Sequence, residues 1–229
     1  MPDPKFPPYK AIPLPPQPLR SDAEMVADSA DYLAKMSRRH TVREFSPRTV
    51  PQAVIEHCIA TAGRAPSGAN QQPWHFVAVR DPALKAEIRA AAEGEEAAFY
   101  AGGGGDEWLQ ALEPLGTGVE KPHLTTAPWL IVIFAQRYGS RADGSRYKHY
   151  YVPESVGIAT GFLISALHLA GLSSLTHTPN PMKFLNKLLG RPVSEKPVMI
   201  LVVGHPGEDA SFPAASAVKK PLGEVLSVR

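Results

Sequence analysis

Two runs of consecutive apolar residues constrain the fold more than any other feature of this chain. Trp129 to Phe134 reads WLIVIF and is introduced by Pro128, and Val198 to Val203 reads VMILVV. A strand that is apolar at every position has no face left for water, so both faces of its sheet must be covered. Trp74 to Arg80, which alternates between Pro73 and Pro82, reads as a third strand, and LSSLTHT (172–178) as a fourth. Helical stretches lie between them. Ser21 and Asp22 can cap a helix running to about Arg38. Others are predicted from Pro51 to Ala62, over 82–99, from Pro153 to about Ala170, and near 182–189. Helices and strands do not alternate strictly, so the expected class is α+β: a central mixed sheet flanked by helices on both faces. The helix from Glu154 to Ala170 is apolar or small nearly all round, which predicts burial on every side. A second copy of the chain is one way to supply that cover.

The N-terminus is of another kind. Eight of the 24 prolines fall within the first 20 residues. Proline fixes φ and removes a backbone donor, so residues 1–24 are expected to form an extended arm, with one domain over 25–229. The arm carries Phe6, Tyr9, Ile12, Leu14 and Leu19, which suggests that it lies along the body or a partner subunit. A formal net charge of +2 is too weak to argue for nucleic acid. The single cysteine, Cys58, sits in an apolar-periodic helix and reads as a buried thiol in a reducing compartment. No leader peptide is visible, and the longest apolar stretch, Val156 to Leu172, is interrupted by three glycines and His168. The reading is a cytoplasmic protein with no membrane partner. No Walker lysine, no strand-borne GxGxxG and no cysteine–histidine set with zinc spacing occurs, so no metal is expected.

Four segments could carry chemistry. Arg38, Arg39 and Arg43 in RRHTVREF can grip a phosphate bidentately, or can be a solvated basic helix end. RAPSGANQQPW (64–74) is a tight loop of uncharged hydrogen-bonding groups that suits a heteroaromatic ring, or is a plain helix-to-strand connection. THTP (176–179) ends a strand, where ligands often sit, although threonine there can be simple strand filler. KKPL (219–222) can close over a phosphate or be a solvated tail.

In order and spacing these four segments resemble the nitroreductase superfamily over about residues 25–229. Longer strings narrow the resemblance to the iodotyrosine deiodinases, their bacterial members above all. These are RTVPQAVIEHCIATAGRAPSGANQQPW, EKPHLTTAPWLIVIF, HYYVPESVGIATGFLISALHLAGL and LLGRPVSEKPVMILVVGHP. The resemblance implies a nitroreductase-like fold, an intertwined homodimer, and FMN held at its interface. It places Arg39, His40, Thr41, Val42 and Arg43 around the FMN phosphate, with Lys219 where the family often has arginine. Pro66, Ser67 and Gly68 would lie against the flavin. Thr176, His177 and Thr178 would flank its ring, with the hydroxyl of Thr176 or Thr178 as the catalytic donor to N5.

The resemblance also assigns a substrate. EGEEAAFY supplies Glu96 and Tyr100, and VEKPHLTTAP supplies Lys121. In that subfamily such a trio clamps the head of a halotyrosine, and the amide of Ala69 would meet the phenolate oxygen. The i, i+4 spacing puts Glu96 and Tyr100 on one helix face, and a zwitterion needs one carboxylate and one ammonium. The implied activity is reductive dehalogenation of 3-iodo-, bromo- or chlorotyrosine to tyrosine and halide, with electrons from an external donor or reductase. A lid over about 94–124, containing Gly102 to Gly105, is expected to order around the amino acid. The family's animal members carry an N-terminal membrane anchor where this chain has its proline-rich arm. The glycine-rich lid implies a weaker hold on substrate, because more entropy is lost on closure. A general FMN-dependent NAD(P)H nitroreductase or quinone reductase is the alternative, and a flavin- or amino-acid-binding module without turnover is a third.

Overall fold

A computed structural model describes residues 9–141 and 143–229. Residues 1–8 of the arm, Phe6 among them, lie outside the described residues. The chain divides into two units, one ending at Ser37 and the other spanning Arg38–Arg229.

In the first unit, residues 9–20 form no regular element, and Tyr9, Ile12, Leu14 and Leu19 are exposed. Helix α1, Asp22–Ser37, starts on a reciprocal cap. The Ser21 amide donates to Glu24 Oε2 at 2.8 Å and the Glu24 amide to Ser21 Oγ at 3.3 Å. No residue of α1 is buried.

The second unit is built on a sheet of four strands: β1 (Trp74–Val79), β2 (Trp129–Gln136), β5 (Ser173–His177) and β6 (Glu195–Gly204), in the order β1-β2-β6-β5. A small hairpin, β3 (Tyr138–Ser140) and β4 (Arg146–Lys148), stands apart. The four strands pair antiparallel throughout, and among the described residues parallel pairing is confined to one bridge, Thr41 to Ser174. The sheet is therefore mixed only at that edge. Strand direction follows from how each connection returns, and residue composition does not encode it. Pro197 in β6 cannot donate to the ladder, and the β2–β6 register shifts beside it, between Ile133 and Phe134.

Alternation along the two central strands feeds two cores. Ile131 and Ile133 of β2, with Leu201 and Val203 of β6, pack with α2 (Gln52–Ala62) and α6 (Val152–Leu169). Leu130, Val132 and Phe134, with Ile200 and Val202, pack with α3 (Pro82–Ala98), α5 (His123–Thr126) and α7 (Phe184–Leu188). Helices thus cover both faces, as the apolar strands require. Each fully buried aliphatic side chain there contributes about 1.5–3 kcal/mol. Cys58 is buried in the first core, and burial pushes its thiol pKa up.

Helix α6 departs from expectation. Val156, Ala159, Leu163 and Leu167 are buried, but Ile158, Phe162 and Leu169 are exposed. Space stands open above Gly157 and Gly161. The helix has the length and hydropathy of a membrane span, yet one face is core and the other a bare apolar stripe. After α3 a π-helical turn, Phe99–Gly103, with positive φ at Gly102, ends in the glycine run, and α4, Asp106–Leu112, starts afresh after Gly105, whose φ is also positive.

Candidate flavin and amino-acid site

The arginine-bearing segment is fixed by the sheet edge. Thr41 bridges Ser174, Phe45 bridges Pro206, and the Gly207 amide donates to the Glu44 carbonyl at 2.9 Å. Val42 and Phe45 point into the protein and are buried. Arg43 is turned to a cleft of about 240 Å³. Arg39 is half-buried outside that cleft, and the His40 ring stacks on Phe212 with centroids 3.7 Å apart. Neither Arg39 nor Arg43 has an ion-pair partner among the described residues.

The same cleft gathers residues from three distant stretches: Glu96 and Tyr100 from α3 and the turn after it, Lys121 from the segment before α5, and Thr176 and Thr178 from the end of β5. Lys121 is the centre of the cluster. Its Nζ lies 3.0 Å from Glu96 Oε2 and donates to the Gly118 carbonyl at 2.6 Å, while its amide donates to Glu93 Oε1 at 2.6 Å. Lys121 is buried and Glu96 half-buried. Tyr100 OH shares a hydrogen bond with Thr117 Oγ1 at 2.6 Å. The side chains expected to clamp a zwitterion thus meet one another. Glu93, which the sequence reading passed over, anchors the lid to α3. Burial pushes its carboxyl pKa up, but hydrogen bonds from the Lys121 amide and from Arg89 outweigh this and hold it below the ordinary range.

Alternation in β5 separates Thr176 and Thr178, both exposed, from His177, which is buried. The threonine hydroxyls have no partner among the described residues. His177 meets His123 edge to face, with ring centroids 5.9 Å apart, and Nε2 of each ring is buried without a hydrogen-bond partner among the described residues. Burial first, then the positive charges of Lys121 and Arg43, pushes the pKa of His123 down to about 4. Burial, then Lys121, His123 and Arg43, takes His177 down to about 3. Both rings are neutral at pH 7. His123 is a site residue that sequence reasoning missed. Its only sequence signal is its place two residues after Lys121.

Two expected groups stand elsewhere. None of Pro66, Ser67, Gly68 and Ala69 lines the cleft. Their loop lies at the start of α6, where the Gly68 amide donates to Ser155 Oγ at 3.3 Å. A Cβ on Gly68 would come within 2.6 Å of the Tyr150 carbonyl, so only glycine fits that approach. Ala69 has φ 50°, in the left-handed region. Lys219 is exposed, and its Nζ donates to the Ser216 carbonyl at 2.7 Å. One chain therefore does not bring these two groups to the cleft.

The sequence pattern of the nitroreductase family matches residues 36–205. The chain belongs to the nitroreductase family. It is 51% identical to the iodotyrosine deiodinase of Haliscomenobacter hydrossis over 210 residues, 92% of each chain. It is 43% identical to iodotyrosine deiodinase 1 of Homo sapiens over 206 residues, 90% of this chain and 71% of that one. In three dimensions it is similar to oxidized iodotyrosine deiodinase bound to FMN and 3-iodo-L-tyrosine, with TM-score 0.71 and 31% identity, covering 86% of this chain and 97% of that one. A BluB-like flavoprotein from Clostridium difficile, at TM-score 0.65 and 19% identity, shares the fold.

Proposed function

We propose that this protein is a cytoplasmic, homodimeric, FMN-dependent reductive dehalogenase of halotyrosines, fed by an external electron donor. The observation that carries the reading is the Lys121–Glu96 ion pair, with Tyr100 beside it, in one cleft with Arg43, Thr176 and Thr178. The likeness to deiodinases, one of them bound to FMN and iodotyrosine, supports it.

The residues present fit FMN. Arg39 and Arg43 offer unpaired guanidiniums for a phosphate, and Thr176 and Thr178 offer free hydroxyls for a ring nitrogen. The resemblance adds His40, Thr41, Val42 and His177 to the cofactor set; His177 lines the cleft, and Lys219 would have to leave the Ser216 carbonyl to join it. At about 240 Å³ the cleft is smaller than the roughly 300–1,000 Å³ of ordinary ligand pockets. Bound reduced FMN would supply the two electrons that replace aryl halogen by hydrogen.

The chain's own part is recognition and placement. An incoming amino acid exchanges one internal ion pair for two: Glu96 takes the ammonium and Lys121 the carboxylate, with Tyr100 hydrogen-bonding the head. Residues 94–124 act as the lid. Pro66, Ser67, Gly68 and the Ala69 amide would come from the partner subunit, across the bare stripe of α6, to meet the ring and the phenolate. The arm over 1–24 stands outside this FMN-binding domain of 25–229.

Glu96→Gln tests the reading against a general nitroreductase. The variant keeps the flavin site and loses the charge that the ammonium needs. Iodide release from iodotyrosine is expected to fall at least a hundredfold, with nitroaromatic reduction within a factor of two of wild type. Equal losses in both reactions would remove the amino-acid clamp from the proposal.

A further inference from the structure

A second cleft, of about 470 Å³, adjoins the first, and Asn180 lines both. Its lining is apolar at Met182 and Pro197, and Arg137, Lys183 and Lys196, all exposed, stand around it. The side chains of these three cations have no hydrogen-bond or ion-pair partner among the described residues. The carboxylate in the cleft does not offset them. Both oxygens of Glu195 are held by Arg191 at 2.7 Å, and Gln136 donates to one of them at 3.2 Å. Val193, 89% exposed, stands at the lip. For a chain of net charge +2, this is a local surplus of positive charge one loop away from Thr178.

The geometry points to this cleft as the docking site for the electron donor, an acidic protein that carries single electrons. The inference rests on the flavin dehalogenase reading. Each turnover consumes two electrons and one proton as a carbon–halogen bond becomes carbon–hydrogen and halide leaves. Two carrier molecules, each oxidised by one electron, and one proton from water restore the pair. The character of the cations selects a protein over a dinucleotide. A small phosphate is held by buried, convergent donors, whereas Arg137, Lys183 and Lys196 are exposed and separate. Such rim charges steer and orient a large acidic surface, and they act on association more than on the chemical step. Apolar Val193 and Met182 supply the contact that charge alone does not.

The test uses the FMN-loaded full chain, iodotyrosine, and a reduced acidic [2Fe–2S] ferredoxin as probe, with dithionite as the small donor. For the double variant Lys183→Glu, Lys196→Glu, the ferredoxin KM is expected to rise at least tenfold, with kcat and dithionite-driven iodide release unchanged. Calorimetric binding of oxidised ferredoxin is expected to weaken by the same factor, and added salt should weaken binding to wild type far more than to the variant. An unchanged ferredoxin KM, or a wild type that ferredoxin fails to reduce while NADPH does, overturns the proposal. Iodide release under dithionite reports separately on the dehalogenase reading, so the two can fail independently.

Discussion

His123 and His177 set a cost that shows in the acid range. Both are neutral when folded, with pKa values near 4 and 3 against 6.5 for the free side chain. Above about pH 6.5 neither state binds the proton, and the pair is neutral to stability. As pH falls the unfolded chain protonates first, so stability declines until the folded pKa values are passed. The expected loss for FMN-free protein between pH 7 and 4 is on the order of 3 kcal/mol for each ring at most. Urea unfolding at stepped pH measures it, and His177→Leu should flatten the curve. A slope unchanged by that substitution would remove the pair as its source. At this scale the sequence was informative where charge and spacing coincide: Arg43, Glu96, Tyr100 and Lys121 stand in short strings, and they line one cleft together with Thr176 and Thr178. It was silent on His123, because a histidine after a proline in a polar segment carries no sign that a strand far along the chain will cover it.

Between residue and whole molecule, the lid hangs on α5, and α5 hangs on a buried lysine. Lys85 of α3 donates through Nζ to the carbonyls of Thr125 at 3.1 Å and Ala127 at 2.7 Å, with 6% of its surface exposed. Burial pushes its pKa down, so it keeps its place by those two carbonyls. Lys85→Met leaves both without this donor and should cost about 1–3 kcal/mol. Hydrogen exchange is expected to show the loss first at Leu124 to Ala127. Uniform loosening across the sheet would argue instead for a general core role. The strands were readable because an all-apolar run, or alternation bounded by prolines, leaves little choice: residues 129–136 fall on the run and 74–79 on the alternation. The antiparallel pairing was not. Nor was the π-helical turn Phe99–Gly103, where the Phe99 ring packs edge to face on Tyr100 and Trp108.

At the scale of the second unit, α6 carries a face that its own packing leaves bare. Composition revealed that α6 is apolar, but composition cannot say which part of a helix one chain covers. Ile158 and Phe162 lie one turn apart on the stripe left open. A charge there opposes any apolar cover, so Phe162→Glu should shift the protein toward monomer in sedimentation and lower FMN occupancy at least tenfold. A monomer that retains FMN would break the link between the two. The position of the Gly68 loop carries this further. If Arg43 and Gly68 serve one flavin from different chains, a lesion in either spoils a different half of the same pocket. Two inactive proteins, Arg43→Ala and Gly68→Val, unfolded together and allowed to reassemble, should then recover function. In each hybrid pair one pocket would inherit both lesions and the other neither. About half the assemblies would carry a single intact pocket, and dehalogenation would return to about a quarter of wild type. Genetics could read the same architecture, as two recessive alleles that rescue each other in one cell.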